Sequence, residues 1–226
     1  LRPGELSLAH NGVLFLDELP QFSRGSMEAL RQPLEDGVLT IARASVRVTY
    51  PASVMLVAAM NPCKCGYYGH PTRECRCSPT KISLYLGKIS GPLLDRLDIH
   101  VEVPPVDFDQ LSGESPEESS AQIRRRVVEA RERQLRRAAD TGTFSNARLS
   151  PGSLRAACAL TGDAQALLRA AYDKLGLSGR SYDRLLKVSR TIADLEGAES
   201  VASHHVAEAI QCRHLDRKYW QKDVSE

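Results

Sequence analysis

The sequence predicts an α/β segment followed by a small all-helical domain, and three observations carry that reading. Two apolar runs, Val13-Leu14-Phe15-Leu16 and Val54 to Met60, lack polar alternation, as interior strands of a parallel sheet buried on both faces do. A helical pattern and a hairpin pattern lie between them. Beyond Pro105 the strand signals stop, and helical periodicity punctuated by glycines takes over. The expected division is residues 1–110 for the α/β part and 117–215 for the helical part, with a polar, frayed tail over 216–226.

Each element has its own local warrant. Arg24 to Asp36 places Met27, Leu30 and Leu34 on one stripe, with Gly37 just beyond, and reads as one helix. Val38 to Arg43 and Val46 to Tyr50 flank Ala44-Ser45, and the alternation of Val46, Val48 and Tyr50 predicts a hairpin over 38–50. Leu97 to Val103 alternates up to Pro104-Pro105 and predicts a third strand. A Gly/Ser/Pro/acid connector follows from Phe108 to Pro116. Helices are then expected over Glu117–Ala139, Pro151–Leu160, Asp163–Leu175, Ser181–Leu195 and Ser203–Arg213.

Composition bounds the function classes. The chain has 226 residues, 42% hydrophobic and 26% charged, with a net charge of +2, so overall charge does not select a polyanion partner. No apolar run approaches the ~20 residues a bilayer span requires, so no membrane partner and a cytoplasmic location are expected. The start at Leu1, without Met or signal pattern, reads as a piece of something longer. Four of six cysteines fall between Cys63 and Cys77, which favours a metal over a disulfide framework.

Two adjacent carboxylates, Asp17 and Glu18, end the first buried strand, at the carboxyl edge where open α/β folds bind ligands. One can hold Mg²⁺ through water while the other polarises an attacking water, the Walker-B arrangement of nucleotide hydrolases. An acid pair that merely caps a loop is the competing reading. Asn61 ends the second strand and reads either as a group reaching the same water or γ-phosphate, or as a turn former before Pro62. Arg96, in Gly91-Pro92-Leu93-Leu94-Asp95-Arg96, reads as an arginine projecting into a neighbouring subunit's nucleotide, or as half of a surface pair with Asp95. Arg180 opens a helix after Ser178-Gly179, a position suited to phosphate, with Arg184 as the alternative.

Cys63, Cys65, Cys75 and Cys77, with Gly and Pro in the connecting loop, suit a tetrahedral structural Zn²⁺ site, His70 being a substitute ligand; free thiols are the alternative. Cys158 and Cys212 read as core residues, and His204 and His205 as surface residues. The helix from Gln122 to Arg137 carries seven arginines against two glutamates, and reads as a solvated or interface face before a nucleic-acid one. Its inner stripe is expected to be Ile123, Val127, Ala130 and Gln134.

The blocks His10-Asn11-Gly12-Val13-Leu14-Phe15-Leu16-Asp17-Glu18-Leu19-Pro20, Leu30 to Gly37, Ala58 to Cys63 and Gly91 to Arg96 resemble, in order, the magnesium-chelatase-like AAA+ ATPases, and within them the ComM-type bacterial group. Ser178-Gly179-Arg180-Ser181 and Val188 to Leu195 are similar to that group's helical lid. The resemblance implies the C-terminal part of a P-loop AAA+ core followed by an all-α lid. It further implies ATP and Mg²⁺ as cofactors, Asp17 and Glu18 as the Walker-B pair, Asn61 as sensor 1, Arg96 as arginine finger and Arg180 as sensor 2. A hexameric ring acting on DNA, as a branch-migration helicase in recombination and natural transformation, follows from the same resemblance, with Arg43 and Arg47 of the hairpin contacting DNA phosphates in the pore. A chelatase-type or protein-remodelling ATPase, or a non-catalytic assembly module, are the alternatives. The phosphate-cradling G-x-x-x-x-G-K-[ST] occurs nowhere in the sequence. It is expected upstream of Leu1, and these residues alone are expected to bind ATP poorly and hydrolyse none.

Overall fold

A computed structural model describes residues 2–43, 46–106, 118–213 and 219–220. The chain divides into two compact units, residues 1–97 together with 216–226, and residues 98–215. The first contains α1 (Glu5–Leu8), β1 (Val13–Leu16), α2 (Arg24–Ala29), α3 (Arg31–Asp36), β2 (Val38–Arg43), β3 (Val46–Pro51), β4 (Met55–Ala58), α4 (Pro79–Leu86) and α5 (Gly91–Leu94).

β1 and β4 pair in parallel, Val13 opposite Met55 through Leu16 opposite Ala58. Period-two geometry sends Leu14, Leu16, Leu56 and Ala58 inward onto a core of Leu19, Met27, Leu30, Ile89, Leu93 and Leu94. Each fully buried aliphatic side chain of that kind contributes about 1.5–3 kcal/mol. The opposite face is exposed, with Phe15 58% and Met55 64% accessible beside Val13 and Val57. The expectation of strands buried on both faces is thus met on one face only. β2 and β3 form the expected antiparallel hairpin, Val38 opposite Pro51 and Ala42 opposite Arg47; its tip, residues 44 and 45, lies outside the described residues.

The expected helix over 24–36 is broken at Leu30 into α2 and α3. Pro33 is the cause: it has no N–H to give to the Ala29 carbonyl, and its ring crowds that carbonyl. The strand expected over 97–103 does not form. Its alternation supplies a face but no ladder: the His100 N–H bonds the Cys212 carbonyl at 2.6 Å, and Ile99, Val101 and Val103 are exposed. α4 and α5 are elements the apolar periodicity did not announce. Of the expected frayed tail, Tyr219 and Trp220 instead pack against Cys63, Ile82, Tyr85 and Leu86 of their own unit, and its other residues lie outside the described ones.

The second unit holds α6 (Ser120–Thr141), α7 (Pro151–Ala157), α8 (Gly162–Leu175), α9 (Gly179–Glu196) and α10 (Ser203–Gln211). Hydroxyl N-caps start four of them: Ser119, Ser150, Thr161 and Ser178 each accept a backbone N–H of the first turn. Its core includes Leu154, Leu168, Leu185, Leu186, Val201 and Val206.

The buried electrostatic centre of this unit is Asp194. Its carboxylate accepts from Arg137 Nη1 at 2.7 Å, Arg190 Nη2 at 3.1 Å and Asn146 Nδ2 at 2.8 Å. Arg133 Nη1 also reaches the Asp194 carbonyl at 3.2 Å. Arginines of α6 therefore serve internal structure, while Arg126 pairs with Glu118 through bonds of 2.9 and 3.1 Å. Of the expected inner stripe, Ala130 and Gln134 are buried, but Ile123 and Val127 are exposed.

Candidate functional site

The carboxyl edge of the parallel pair is built by backbone hydrogen bonds. The Leu16 carbonyl accepts the Ala59 N–H at 2.9 Å, and the Ala59 carbonyl accepts the Leu19 N–H at 3.0 Å. Asp17 and Glu18 form the excursion between these two bonds, so they sit at the same sheet edge as Met60 and Asn61, which follow directly. Buried Leu19 and Pro20 anchor the far side of the excursion.

Glu18 has φ 48° and ψ 49°, the left-handed region that a non-glycine residue occupies only at a cost. Asp17 Oδ1 accepts the Glu18 N–H at 2.8 Å, which fixes the bend. Both carboxylates and Asn61 are solvent-exposed. The structure thus brings Asp17, Glu18 and Asn61 to one edge, where two acids and an amide can address a hydrated metal–phosphate group.

Tyr85 was not indicated by any motif. Its ring is buried on α4, and burial first, then the negative charges of Glu18 and Cys63, push its hydroxyl pKa up. It packs in one buried cluster with Cys63, Ile82 and Leu86. Only tertiary packing discloses it.

Arg96 does not project outward from the loop. Its side chain is 9% accessible; Nε donates to the Arg31 carbonyl at 3.1 Å, Nη1 to the Pro92 carbonyl at 2.6 Å, and Nη2 to the Glu35 carboxylate. The pairing with Asp95 considered from sequence is replaced by this one with Glu35. In the second unit, Arg180 is exposed in the first turn of α9, whose Ser178 cap accepts the Ser181 N–H at 3.1 Å. Arg184 lies 3.6 Å, Nε to Oδ1, from Asp98. On the hairpin, Arg47 is exposed on β3, whereas the Arg43 side chain lies outside the described residues.

Cys63, Cys65, Cys75 and Cys77 converge, their sulfurs all within 4.8 Å of one another. Three separations are 3.4 Å (Cys63–Cys65), 3.7 Å (Cys63–Cys75) and 3.6 Å (Cys65–Cys75). A tetrahedron with Zn–S bonds of about 2.3 Å has edges of about 3.8 Å, so the thiols fit a zinc ion with almost no rearrangement. Gly66 and Gly69, at φ +83° and +80°, make the turns that return the chain for the second cysteine pair.

Backbone N–H groups of Tyr67 and Arg76 bring the Cys65 thiol down to about 6. The Cys77 N–H pulls Cys75 the same way, but burial and the neighbouring Cys65 and Cys63 outweigh it and push Cys75 up to about 12. A dication in the centre would remove that conflict, because it stabilises all four thiolates together. His70 is not part of the cluster: its Nδ1 accepts the N–H groups of Thr72 at 3.2 Å and Arg73 at 3.1 Å. All six cysteines are free thiols.

A second group of potential ligands, Glu196, His204 and His205, was not foreseen, and His205, expected at the surface, is fully buried. His205 Nδ1 accepts the Ala202 N–H at 2.9 Å, which places the imidazole proton on Nε2, 2.6 Å from Glu196 Oε2. His204 Nε2 lies 2.7 Å from the same oxygen. The Nε2 lone pair that a metal needs is absent in that tautomer, so the trio acts as a clamp between the end of α9 and the start of α10. No helix among the described residues is long and apolar enough to cross a membrane.

Two family descriptions match the chain, magnesium chelatase subunit ChlI over residues 1–111 and magnesium chelatase subunit ChlI C-terminal over residues 117–213. Competence protein ComM of Haemophilus influenzae is 45% identical over 217 residues, covering 96% of this chain and 42% of ComM. The uncharacterized protein YifB of Salmonella typhimurium is 44% identical over 216 residues, 95% of this chain and 42% of YifB. An uncharacterized protein of Mycobacterium tuberculosis is 42% identical over 212 residues, 94% of this chain and 42% of its own length. The chain thus spans less than half the length of these relatives.

Proposed function

The chain belongs to the magnesium-chelatase-like family, in its ComM-type group, and from that premise we propose that it is the distal part of an ATP-hydrolysing AAA+ motor that works on DNA. The observation that carries the reading is the common carboxyl edge of β1 and β4, where Asp17, Glu18 and Asn61 meet. Mg²⁺, when bound, would neutralise charge on the phosphate oxygens; Asp17 would hold it through water. Glu18 would accept the proton of the attacking water, and Asn61 would orient that water or the γ-phosphate. Arg180, the sensor 2 of the family resemblance, would take up phosphate charge.

Arg96 would complete the site of an adjacent copy in a hexameric ring. Its pairing with Glu35 means that ring assembly must exchange an internal acceptor for a phosphate. The hairpin would track DNA phosphates through Arg43 and Arg47, a contact without sequence preference. The Haemophilus relative's name, competence protein, fits branch migration of incoming strands in the cytoplasm. The sequence holds no G-x-x-x-x-G-K-[ST] loop and spans 42% of its relatives, so the reaction is proposed for the full-length protein; residues 1–226 alone would hydrolyse nothing. The four-cysteine cluster is proposed to hold a structural Zn²⁺, which leaves no open position for catalysis.

The test is Glu18→Gln in the full-length protein. ATP binding should persist while turnover falls at least ~10²-fold, the loss expected when a general base is removed. Undiminished turnover would remove the acid pair from the mechanism.

A further inference from the structure

Trp220 is the single tryptophan of the chain. Its indole Nε1–H donates to the Leu86 carbonyl at the end of α4 at 3.0 Å, and the residue packs with Cys63, Ile82, Tyr85 and Leu86. Tyr219 stands edge-on to Tyr68, with ring centroids 6.2 Å apart. The Tyr219 hydroxyl lies 3.9 Å from where a Cβ on Gly69 would stand, so this turn and the Tyr219 ring are neighbours at van der Waals range. The seat of this aromatic pair therefore has two halves. One is α4, a regular helix; the other is the Tyr68–Gly69 turn, which lies between the two cysteine pairs.

Connectivity makes the seat consequential. The chain leaves the first unit after Leu97, forms the whole helical unit, and returns to the first unit at Tyr219 and Trp220. The aromatic contact therefore closes the first unit on itself, between residues far apart in the sequence.

We infer that the cysteine loop and α4 form a receptor for Tyr219–Trp220, a clasp that closes when a metal ion occupies the four thiols. The inference rests on the zinc reading of the cluster. The loop from Lys64 to Arg76 contains no helix or strand, and its shape depends on the four sulfurs and on short turns such as Gly66 N–H to the Cys63 carbonyl at 3.1 Å. An ion turns weak thiol contacts into four bonds and removes the loop's conformational freedom, so the aromatic pair docks on a surface already ordered. Linkage makes the effect reciprocal: the docked clasp must tighten metal binding by the same factor.

The experiment uses the 226-residue chain, reduced, with and without one equivalent of Zn²⁺, and follows Trp220 emission and its quenching by acrylamide. Zinc should shift the emission to the blue and shield it, and a chelator should reverse both. The Cys75→Ser plus Cys77→Ser variant should stay in the red-shifted, quenchable state with zinc present, while its far-ultraviolet circular dichroism shows the helical unit intact. Trp220→Ala should weaken zinc affinity, measured by competition with a chromophoric chelator. Zinc bound by four thiols with Trp220 emission unmoved would overturn the clasp and leave the metal site standing. Failure of the reduced chain to bind zinc at all would overturn the metal reading and the clasp with it.

Discussion

Arg96 and Glu35, 61 residues apart in sequence, are joined in an ion pair that turns a loop arginine back onto its own chain. The Arg31 and Pro92 carbonyls take two more of its five N–H groups. A guanidinium so held cannot reach a neighbouring copy until Glu35 lets go. Arg96→Ala in the full-length protein should lower ATP turnover ~10³-fold or more, the scale of a missing arginine finger. Glu35→Gln should cost only about 1 kcal/mol of stability, because the carboxylate is partly solvated. Its effect on turnover should vanish in the Arg96→Ala background, as the double-mutant cycle of a contacting pair requires. Additive effects would show that Glu35 does not act through Arg96.

Glu18 occupies left-handed backbone at the centre of the proposed site. Glu18→Gly should therefore raise stability by about 1 kcal/mol while turnover collapses, since strain of that size is retained where a side chain must be aimed. Urea denaturation of the 226-residue chain measures the first effect and ATPase assay of the full-length protein the second.

Asp194 pairs with two guanidinium groups in the core of the helical unit, those of Arg137 and Arg190. Asp194→Ala strands Arg190, itself buried, without its counter-charge, and should destabilise that unit by about 3–5 kcal/mol. Loss of helical signal at lower urea concentration is the expected record.

Glu196 receives hydrogen bonds from His204 and His205, which hold its pKa below the ordinary carboxylate value. A carboxylate depressed in the folded state stabilises fully above its unfolded pKa of 4.5, and that contribution disappears as pH falls from there through the folded value. Thermal melts of the wild-type chain should therefore drop more steeply on acidification below that point than those of Glu196→Gln. Parallel pH curves would show that the clamp contributes no acid sensitivity.

The hairpin arginines give a salt-dependent expectation. In the full-length protein, Arg43→Ala with Arg47→Ala should flatten the slope of log affinity against log salt for DNA by about 0.7–0.9 per lost phosphate contact. An unchanged slope would turn the search toward a protein substrate.

Much of the site could be read before any coordinates. Apolar runs that end in Asp17-Glu18 and in Asn61 mark strand ends, and parallel pairing of such strands places both ends on one edge. Four cysteines within fifteen residues can meet only if the intervening turns allow it, and Gly66 and Gly69 allow it. The hairpin likewise follows from alternation.

Where the sequence misled, a distant partner decided the outcome. Leu97 to Val103 alternates like a strand, but no strand among the described residues supplies its hydrogen bonds. His205 reads as polar surface, and Ala202 and Glu196 make its burial possible.

By itself the sequence determined the family, the strand ends that carry Asp17, Glu18 and Asn61, and the cysteine spacing, because each rests on periodicity or chemistry within a few neighbouring residues. Only the tertiary structure decided that Arg96 turns inward to Glu35, that Tyr85 packs in one cluster with Cys63, and that Trp220 returns to Leu86. The reason is that a side chain's partner across the fold is chosen by the packing of whole elements, and that choice leaves no trace in the residues on either side of it.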